Sequence, residues 1–237
     1  MGLKESGLRG SLRNVSVGID AILDSVVDNF ETGDITRYSG DTGDFSVSES
    51  NVVEGTFALE GDAPSGGAAV VSDDPVDGED FKKGRIVSFL AYDPDSGGDG
   101  REPTFLFGWE GLDVDNDGGY GLFIGTGNEF MQLQRHDDGY EDINATVLDE
   151  DEDVTDVGDE WVEVEIEWHD GTGEEPDNTI KCTAYEIDQS TLERQSEIGS
   201  VSAQDSTYQN ETNFGWATRT SASSETILDA AILQGEV

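Results

Sequence analysis

The segment WVEVEIEW at residues 161–168 alternates hydrophobic and acidic side chains without a break. Successive side chains of a β-strand point to opposite faces of a sheet, so this period of two predicts a strand that is buried on one face only. The expected buried face consists of Val162, Val164, Ile166 and Trp168. The expected solvated face consists of Glu163, Glu165 and Glu167.

Similar β-type segments recur at short intervals from residue 25 to the end of the chain, with Gly, Asp, Asn, Pro and Ser between them. Examples are RIVSFLAY at 85–92, TFLFGW at 104–109 and TIKCTAYEI at 179–187. With 30 glycines and only short helical candidates, the chain is expected to be all-β. The spacing predicts an all-β sandwich or jelly roll of about a dozen strands, closed as a single domain over residues 25–237. The acidic stretch 149–159 is expected to be a solvated loop.

Acidic residues dominate the composition, with 54 Asp and Glu against 12 Lys and Arg and a formal net charge of -42. This charge opposes compactness in dilute buffer, whereas molar salt shortens the Debye length to about 3 Å. Because the acids interleave with apolar runs such as 86–92, they indicate a folded surface adapted to high salt rather than a disordered tail. Nucleic acid is excluded as a partner of the acidic body, since phosphates require a basic face.

Residues 1–24 form a chemically different segment. Its first 19 residues contain Lys4, Arg9 and Arg13 against a single acidic residue, Glu5. Several glycines interrupt any helical pattern, so we predict an extended N-terminal arm. One interpretation is that the three basic residues dock the arm onto a partner, and the other is a frayed terminus.

The chain shows no sign of membrane insertion, export or disulfide bonding. No apolar run approaches the roughly 18 residues of a membrane helix. The first 25 residues also lack the hydrophobic core of a signal peptide. Cys182 is the only cysteine, so it cannot form an intramolecular disulfide and is expected to be a small core residue.

The segment DVDNDGG provides a candidate metal site. Asp113, Asp115 and Asp117 occupy alternate positions before a glycine pair, and calcium prefers such oxygen-rich turns. The segment departs from an EF-hand, because Ile124 stands where the closing Glu would be and no helix pair is evident. Calcium is therefore one interpretation, and an acidic hairpin loop is the other. The two histidines, His136 and His169, are expected to be surface residues, and zinc is not expected.

Two stretches resemble the concanavalin A-like jelly roll, the superfamily that includes laminin-G-like and legume-lectin-like domains. Residues 28–61 resemble its opening strands, and the segments from GRIVSFLAYDP through EWVEVEIEW to TILDAAIL resemble the rest. The resemblance implies that the last strand pairs with the first. The arm sequence GLRGSLRNVSVG resembles the N-terminal segment of laminin-G-like structural proteins of haloarchaeal tailed viruses. That second resemblance implies a virion protein assembled in the host cytoplasm.

Glycan hydrolases of this fold share a Glu-acid-Glu strand motif, which Glu163, Glu165 and Glu167 resemble. Retaining hydrolysis needs two carboxyl groups about 5–5.5 Å apart, and residues i and i+4 of a regular strand lie farther apart. An alternating Glu face is also expected in so acidic a chain, so catalysis is not favoured. Aromatic candidates for sugar stacking, most of which are expected in the core, are Trp109, Tyr120, Trp161, Trp168 and Trp216.

The sequence favours a non-enzymatic structural protein of a haloarchaeal virus, displayed on the capsid or tail of the virion as a homo-oligomer. Its arm would bind other virion proteins through Lys4, Arg9 and Arg13, and its sandwich could engage a host-surface glycan. The first alternative is a carbohydrate-binding, lectin-like module of a halophile. The second is a glycan hydrolase that uses Glu163 and Glu167.

Overall fold

The computed structural model describes residues 25–49, 52–53, 55–61, 67–92, 103–125, 130–140, 145–157, 160–218 and 226–236. The strands are β1 (Ser25–Asp28), β2 (Ser39–Gly40), β3 (Phe45–Ser48), β4 (Ala58–Gly61), β5 (Ala68–Ser72), β6 (Arg85–Tyr92), β7 (Pro103–Trp109), β8 (Gly119–Gly125), β9 (Phe130–His136), β10 (Thr146–Asp151), β11 (Val162–Trp168), β12 (Thr179–Ile187), β13 (Arg194–Gln204), β14 (Asn213–Thr218) and β15 (Thr226–Glu236). A 3-10 turn spans Thr42–Asp44. No helix in this described part of the chain has the length and hydrophobicity to cross a membrane.

The strands form two antiparallel sheets, which confirms the predicted all-β jelly-roll sandwich. The order of the first sheet is β13-β12-β11-β6-β15-β4-β3, with β1 also paired to β15, which gives eight strands. The order of the second, seven-stranded sheet is β10-β9-β8-β7-β14-β5-β2. The pairing of β1 with β15 places Ser25 opposite Leu233, so the last strand pairs with the first as the resemblance implied. The predicted arm at residues 1–24 lies outside the described residues.

The core lies between the two sheets and is rich in aromatic side chains. The predicted hydrophobic face of β11 is fully buried in it. Trp168 from that face packs against Phe107 of the seven-stranded sheet with ring centroids 5.7 Å apart. Burial of a phenylalanine side chain such as Phe107 contributes roughly 1.5–3 kcal/mol to the stability of the fold. Cys182 is also buried in this core, as expected.

Gly108 lies at an irregularity in the pairing of β7 with β14. This residue has a φ of 56°, in the left-handed region that favours glycine. A Cβ atom at this position would lie 2.8 Å from the Trp168 ring. Gly108 therefore allows the indole to pack directly against the backbone of the opposing sheet.

Two acidic side chains join the sheets along one edge of the sandwich. Asp149 and Asp151 belong to β10, and their carboxylates accept backbone N–H groups of Ser202 and Ser200 on β13, at 2.7 and 3.0 Å. The prediction of a solvated loop over 149–159 is therefore wrong for its first part. The carboxylates satisfy backbone donors that would otherwise be unpaired at the edge of the eight-stranded sheet.

Candidate functional site

The acidic face of β11 lies in the middle of the outer surface of the eight-stranded sheet, because β11 is flanked by β6 and β12. The residues paired with Glu163, Glu165 and Glu167 are, in order, Leu90 and Tyr185, Ser88 and Thr183, and Ile86 and Lys181. A regular strand rises about 3.3 Å per residue, so the Cα atoms of Glu163 and Glu167 are about 13 Å apart.

Arg194 of β13 is the centre of this surface. Its Nε and Nη2 atoms donate to the two carboxylate oxygens of Glu163, both at 2.8 Å. Nη2 also donates to Glu165 Oε2 at 2.8 Å and to Ser88 Oγ at 3.3 Å. The guanidinium carbon lies 4.4 Å from the centroid of the Tyr185 ring, so the side chain is held by both ion pairing and a cation–π contact.

The charges around Arg194 stabilise its protonated form. Burial alone would lower the pKa of Arg194, but hydrogen bonds and attraction from Glu163 and Glu165 outweigh burial and raise it. Glu163 itself is 1% exposed, and both of its carboxylate oxygens accept hydrogen bonds from Arg194.

Glu167 belongs to a second ion pair on the same surface. Lys181 Nζ donates to Glu167 Oε1 at 2.9 Å, and this hydrogen bond raises the pKa of Lys181. His169 Nε2 lies 3.4 Å from Glu167 Oε2. The polar face is defined here as Glu163, Glu165, Glu167, Lys181, Tyr185 and Arg194. Each of its three glutamates contacts a basic side chain.

An apolar cluster adjoins the polar face. Trp161 and Tyr92 lie there with ring centroids 5.5 Å apart. Its other members are Val52, Val53, Ala58, Leu90, Ile187 and Leu192. Trp161 is thus the sequence-predicted aromatic residue that lies next to the polar face.

The remaining aromatic candidates are structural residues, as most were expected to be. Tyr120, Trp168 and Trp216 are buried in the main core. Trp109 is buried on the outer side of the seven-stranded sheet, where its ring centroid lies 5.8 Å from that of His136. His136 is 1% exposed and His169 is also buried. The expectation that both histidines are surface residues is therefore wrong, because neighbouring acids in sequence do not determine which face of a strand a residue occupies.

The loop between β7 and β8 contains the three predicted metal ligands. Asp113 accepts hydrogen bonds from the backbone N–H of Asp115 at 3.1 Å and from Asn116 Nδ2 at 2.9 Å. Asp117 accepts the backbone N–H of Asp113 at 2.8 Å. As arranged, the loop satisfies these carboxylates internally. Within the described residues, no group of three or more His, Cys, Asp and Glu side chains is placed to hold a metal ion. The calcium site stays a prediction.

A network of ion pairs and hydrogen bonds lies at the same end of the sandwich, and the sequence did not predict it. Arg135 pairs with Asp205 at 2.8 Å and with Asp137 at 2.9 Å. Tyr120 donates to Asp205 Oδ1 at 2.8 Å, and Tyr208 donates to Asp137 at 3.3 Å. Burial alone would raise the pKa of Asp205, but hydrogen bonds outweigh burial and lower it. Burial and the charge of Asp137 raise the pKa of Tyr208 to about 12. The network joins residues 135–137 to Tyr120 and to residues 205–208, which are distant in sequence, so no local motif marks it.

The predicted partner-binding residues of the arm are not placed by the structure. Lys4, Arg9 and Arg13 all lie outside the described residues, as does every other residue of 1–24. Their role in docking stays a prediction. Within the described chain, the candidate sites are therefore the polar face and the loop between β7 and β8.

Comparisons with known proteins identify the fold. No protein-family model matches the chain, and a search of curated proteins gives no significant match. Among solved structures, the VIP36 exoplasmic/lumenal domain, bound to Ca2+ and Man3GlcNAc, has a TM-score of 0.55 at 10% identity, covering 90% of this chain and 88% of that one. A legume lectin-like domain from Entamoeba histolytica has a TM-score of 0.53 at 9% identity, covering 82% and 91%. Lectin UEA-II complexed with galactose has a TM-score of 0.51 at 10% identity, covering 90% and 97%.

These identities establish a likeness of fold and nothing finer. The matched structures extend over most of this chain and most of their own length, so the likeness concerns the whole sandwich. The resemblance to the concanavalin A-like jelly roll is thereby confirmed. Nothing in these comparisons supports a viral or haloarchaeal origin.

Proposed function

We propose that this chain is a non-enzymatic, carbohydrate-binding module with a lectin-like sandwich. The similar solved structures include a VIP36 domain bound to Man3GlcNAc and a lectin bound to galactose. Because one fold can serve many functions, this likeness supports the proposal without deciding it. The proposal depends on what the surface of this chain offers to a ligand.

The observation that carries the proposal is the ordered polar face on the eight-stranded sheet. Sugars are bound through several hydrogen bonds to fixed polar groups, combined with contacts to aromatic rings. Arg194 is held by Glu163, Glu165 and Tyr185, and its side chain is still 33% exposed. A ligand that binds there meets polar groups already held in place, which reduces the entropic cost of binding.

The same geometry argues against a glycan hydrolase. The carboxylates of Glu163 and Glu167 are engaged by different basic side chains, Arg194 and Lys181. Both oxygens of Glu163 accept hydrogen bonds from Arg194. We therefore expect no turnover of neutral or acidic oligosaccharides. Reducing-end assays on wild type and Glu163→Gln should give the same background signal.

A virion location remains a separate prediction. A structural protein displayed on a capsid or tail could itself carry a glycan-binding face, so the two hypotheses are compatible. The carbohydrate-binding hypothesis has the support of the similar solved structures, and the virion hypothesis has none from them. Mass spectrometry of purified virus particles would test the location directly.

A glycan-binding assay tests the proposed function. The full chain in molar KCl should be retained on some members of a panel of immobilised oligosaccharides and released by the free sugar. Tyr185→Ala should weaken retention, because it removes the ring that supports Arg194. Glu174→Gln, in an exposed loop, is the matched surface control and should bind as wild type does. Absence of retention on every glycan would overturn the proposal.

A further inference from the structure

We propose that the Arg194–Glu165 ion pair binds a vicinal diol of a neutral sugar and excludes acidic sugars. This inference rests on the proposed function and names the ligand chemistry of the same surface. Its starting point is an incomplete set of hydrogen bonds at the ion pair. Among the described residues, Arg194 Nη1 donates no hydrogen bond, and Glu165 Oε1 accepts none.

The open donor and the open acceptor belong to one ion pair. Arg194 Nη2 and Glu165 Oε2 are 2.8 Å apart, so the free Nη1 and the free Oε1 flank a short contact. Each hydroxyl of a sugar can both donate and accept. One ring hydroxyl can accept from Nη1 while its neighbour donates to Oε1. A vicinal diol therefore supplies both of the missing partners at once.

The ion pair is held in one arrangement before any ligand binds. The two bonds from Arg194 to Glu163 fix the plane of the guanidinium, and the Tyr185 ring supports it. The Glu165 side chain is only 14% exposed, which restricts its motion. Hydrogen bonds to charged groups are stronger than those between neutral groups, so two such bonds can give measurable affinity for a small ligand.

The charges of the surface disfavour anionic ligands. The polar face contains three glutamates against Arg194 and Lys181, and both basic residues are already paired. A sugar carboxylate near Glu165 would meet a like charge, and the positive charge of Arg194 is already balanced by Glu163 and Glu165. Like charges brought together at an interface oppose binding. Neutral sugars avoid this repulsion and still satisfy Nη1 and Oε1.

Matched sugar pairs test the inference. The probes are methyl glycosides of galactose, glucose and mannose together with their C6-oxidised uronic acid counterparts, which retain the same ring diols. The full chain should bind at least one neutral glycoside and should bind its uronate at least about tenfold more weakly, as expected for the loss of roughly 1.4 kcal/mol. Monodeoxy analogues of the bound sugar, lacking one hydroxyl of the diol, should also bind about tenfold more weakly.

Two variants locate the contact. Arg194→Lys keeps the positive charge and removes Nη1, and Glu165→Gln keeps the shape and removes the charged acceptor. Each should reduce affinity for the neutral glycoside about tenfold, while Glu174→Gln leaves it unchanged. Circular dichroism verifies folding, and Glu165→Gln alone keeps the test decisive if Arg194→Lys does not fold.

The outcomes separate the inference from the proposed function. Neutral binding that both variants leave intact, or tighter binding of the uronates, would overturn the diol site while carbohydrate binding stood. No binding by any glycan would overturn both. Selective neutral binding that is lost in the variants and in a deoxy analogue would support the site at Arg194 and Glu165.

Discussion

Arg194 on β13 reaches across β12 and forms a bidentate ion pair with Glu163 on β11, with both N···O distances at 2.8 Å. Glu163 is 1% exposed, so the two hydrogen bonds from the guanidinium act on a buried carboxylate. Loss of one partner of such a pair is costly because the other remains charged and poorly solvated. The pair therefore links the stability of three adjacent strands.

Replacement of the basic partner should destabilise the fold. We expect Arg194→Ala to lower the free energy of unfolding by about 2–4 kcal/mol, because the buried Glu163 would lose both hydrogen bonds from the guanidinium. Urea unfolding in molar KCl measures the change. Lys82→Ala removes the same charge from an exposed position and should cost less than about 0.5 kcal/mol. Equal effects of the two substitutions would contradict this account of the pair.

Salt should stabilise the protein strongly. At a net charge of -42, repulsion between carboxylates extends over roughly 30 Å at 0.01 M ionic strength and over about 3 Å at 1 M. The thermal midpoint should therefore rise between low and molar KCl, as followed by circular dichroism. A midpoint that stays constant over this range would show that the acidic composition is not a salt adaptation.

The calcium prediction can be tested at constant ionic strength. Binding would require Asp113 and Asp117 to exchange backbone N–H donors for the ion, and it would stabilise the folded state by mass action. Calcium should then raise the thermal midpoint of wild type, and Asp115→Ala should abolish the rise. Asp73→Ala, an exposed acid elsewhere, is the control. A similar response from all three proteins would identify the loop as a solvated turn.

The network around Asp205 should make stability depend on acid pH. The pKa of Asp205 is lowered in the folded state, so its contribution is present above the unfolded value of 3.8 and is lost as pH falls through the lower folded value. The difference in thermal midpoint between wild type and Asp205→Asn should therefore shrink as pH drops below about 4. Asp138→Asn, at an exposed site, should show a difference that does not change in this window.

The arm prediction concerns assembly. A chain that begins at Ser25 should fold by itself, because the described sandwich starts there, but should not form the homo-oligomer that we predict for the full chain. The double substitution Arg9→Ala with Arg13→Ala should weaken assembly less than the truncation does. The double substitution Arg9→Lys with Arg13→Lys keeps both charges and should show whether bidentate contacts are needed. Light scattering after gel filtration measures the mass. A truncated chain with the full-length oligomeric mass would place the contact on the sandwich.

The sequence predicted the strands whose faces differ in polarity. The alternation at 161–168 was sufficient to place both faces of β11, because burial on one side requires that pattern. It could not show that Glu163 is buried, since its partner Arg194 is contributed by a strand two positions away in the sheet. The segment RQSE at 194–197 has no apolar alternation, because it lies at the exposed edge of the sheet.

The candidate site was only partly predictable for the same reason. Glu165 was identified from its strand, but the functional proposal depends on which of its oxygens has a partner, and that is set by tertiary contacts. At the loop, sequence spacing alone suggested that Asp113 and Asp117 point outward to an ion. The structure has them accepting local backbone N–H groups, a competition that is common for Asp in turns.

The bonds from Asp149 and Asp151 to the backbone of β13 also affect how the molecule meets its neighbours. An open strand edge is a template on which another chain can extend the sheet. Here the N–H groups of Ser200 and Ser202 already have intramolecular acceptors, so this edge offers fewer donors for intermolecular pairing. Two of the 54 acidic residues thus occupy backbone donors that another chain would need in order to extend the sheet at this edge.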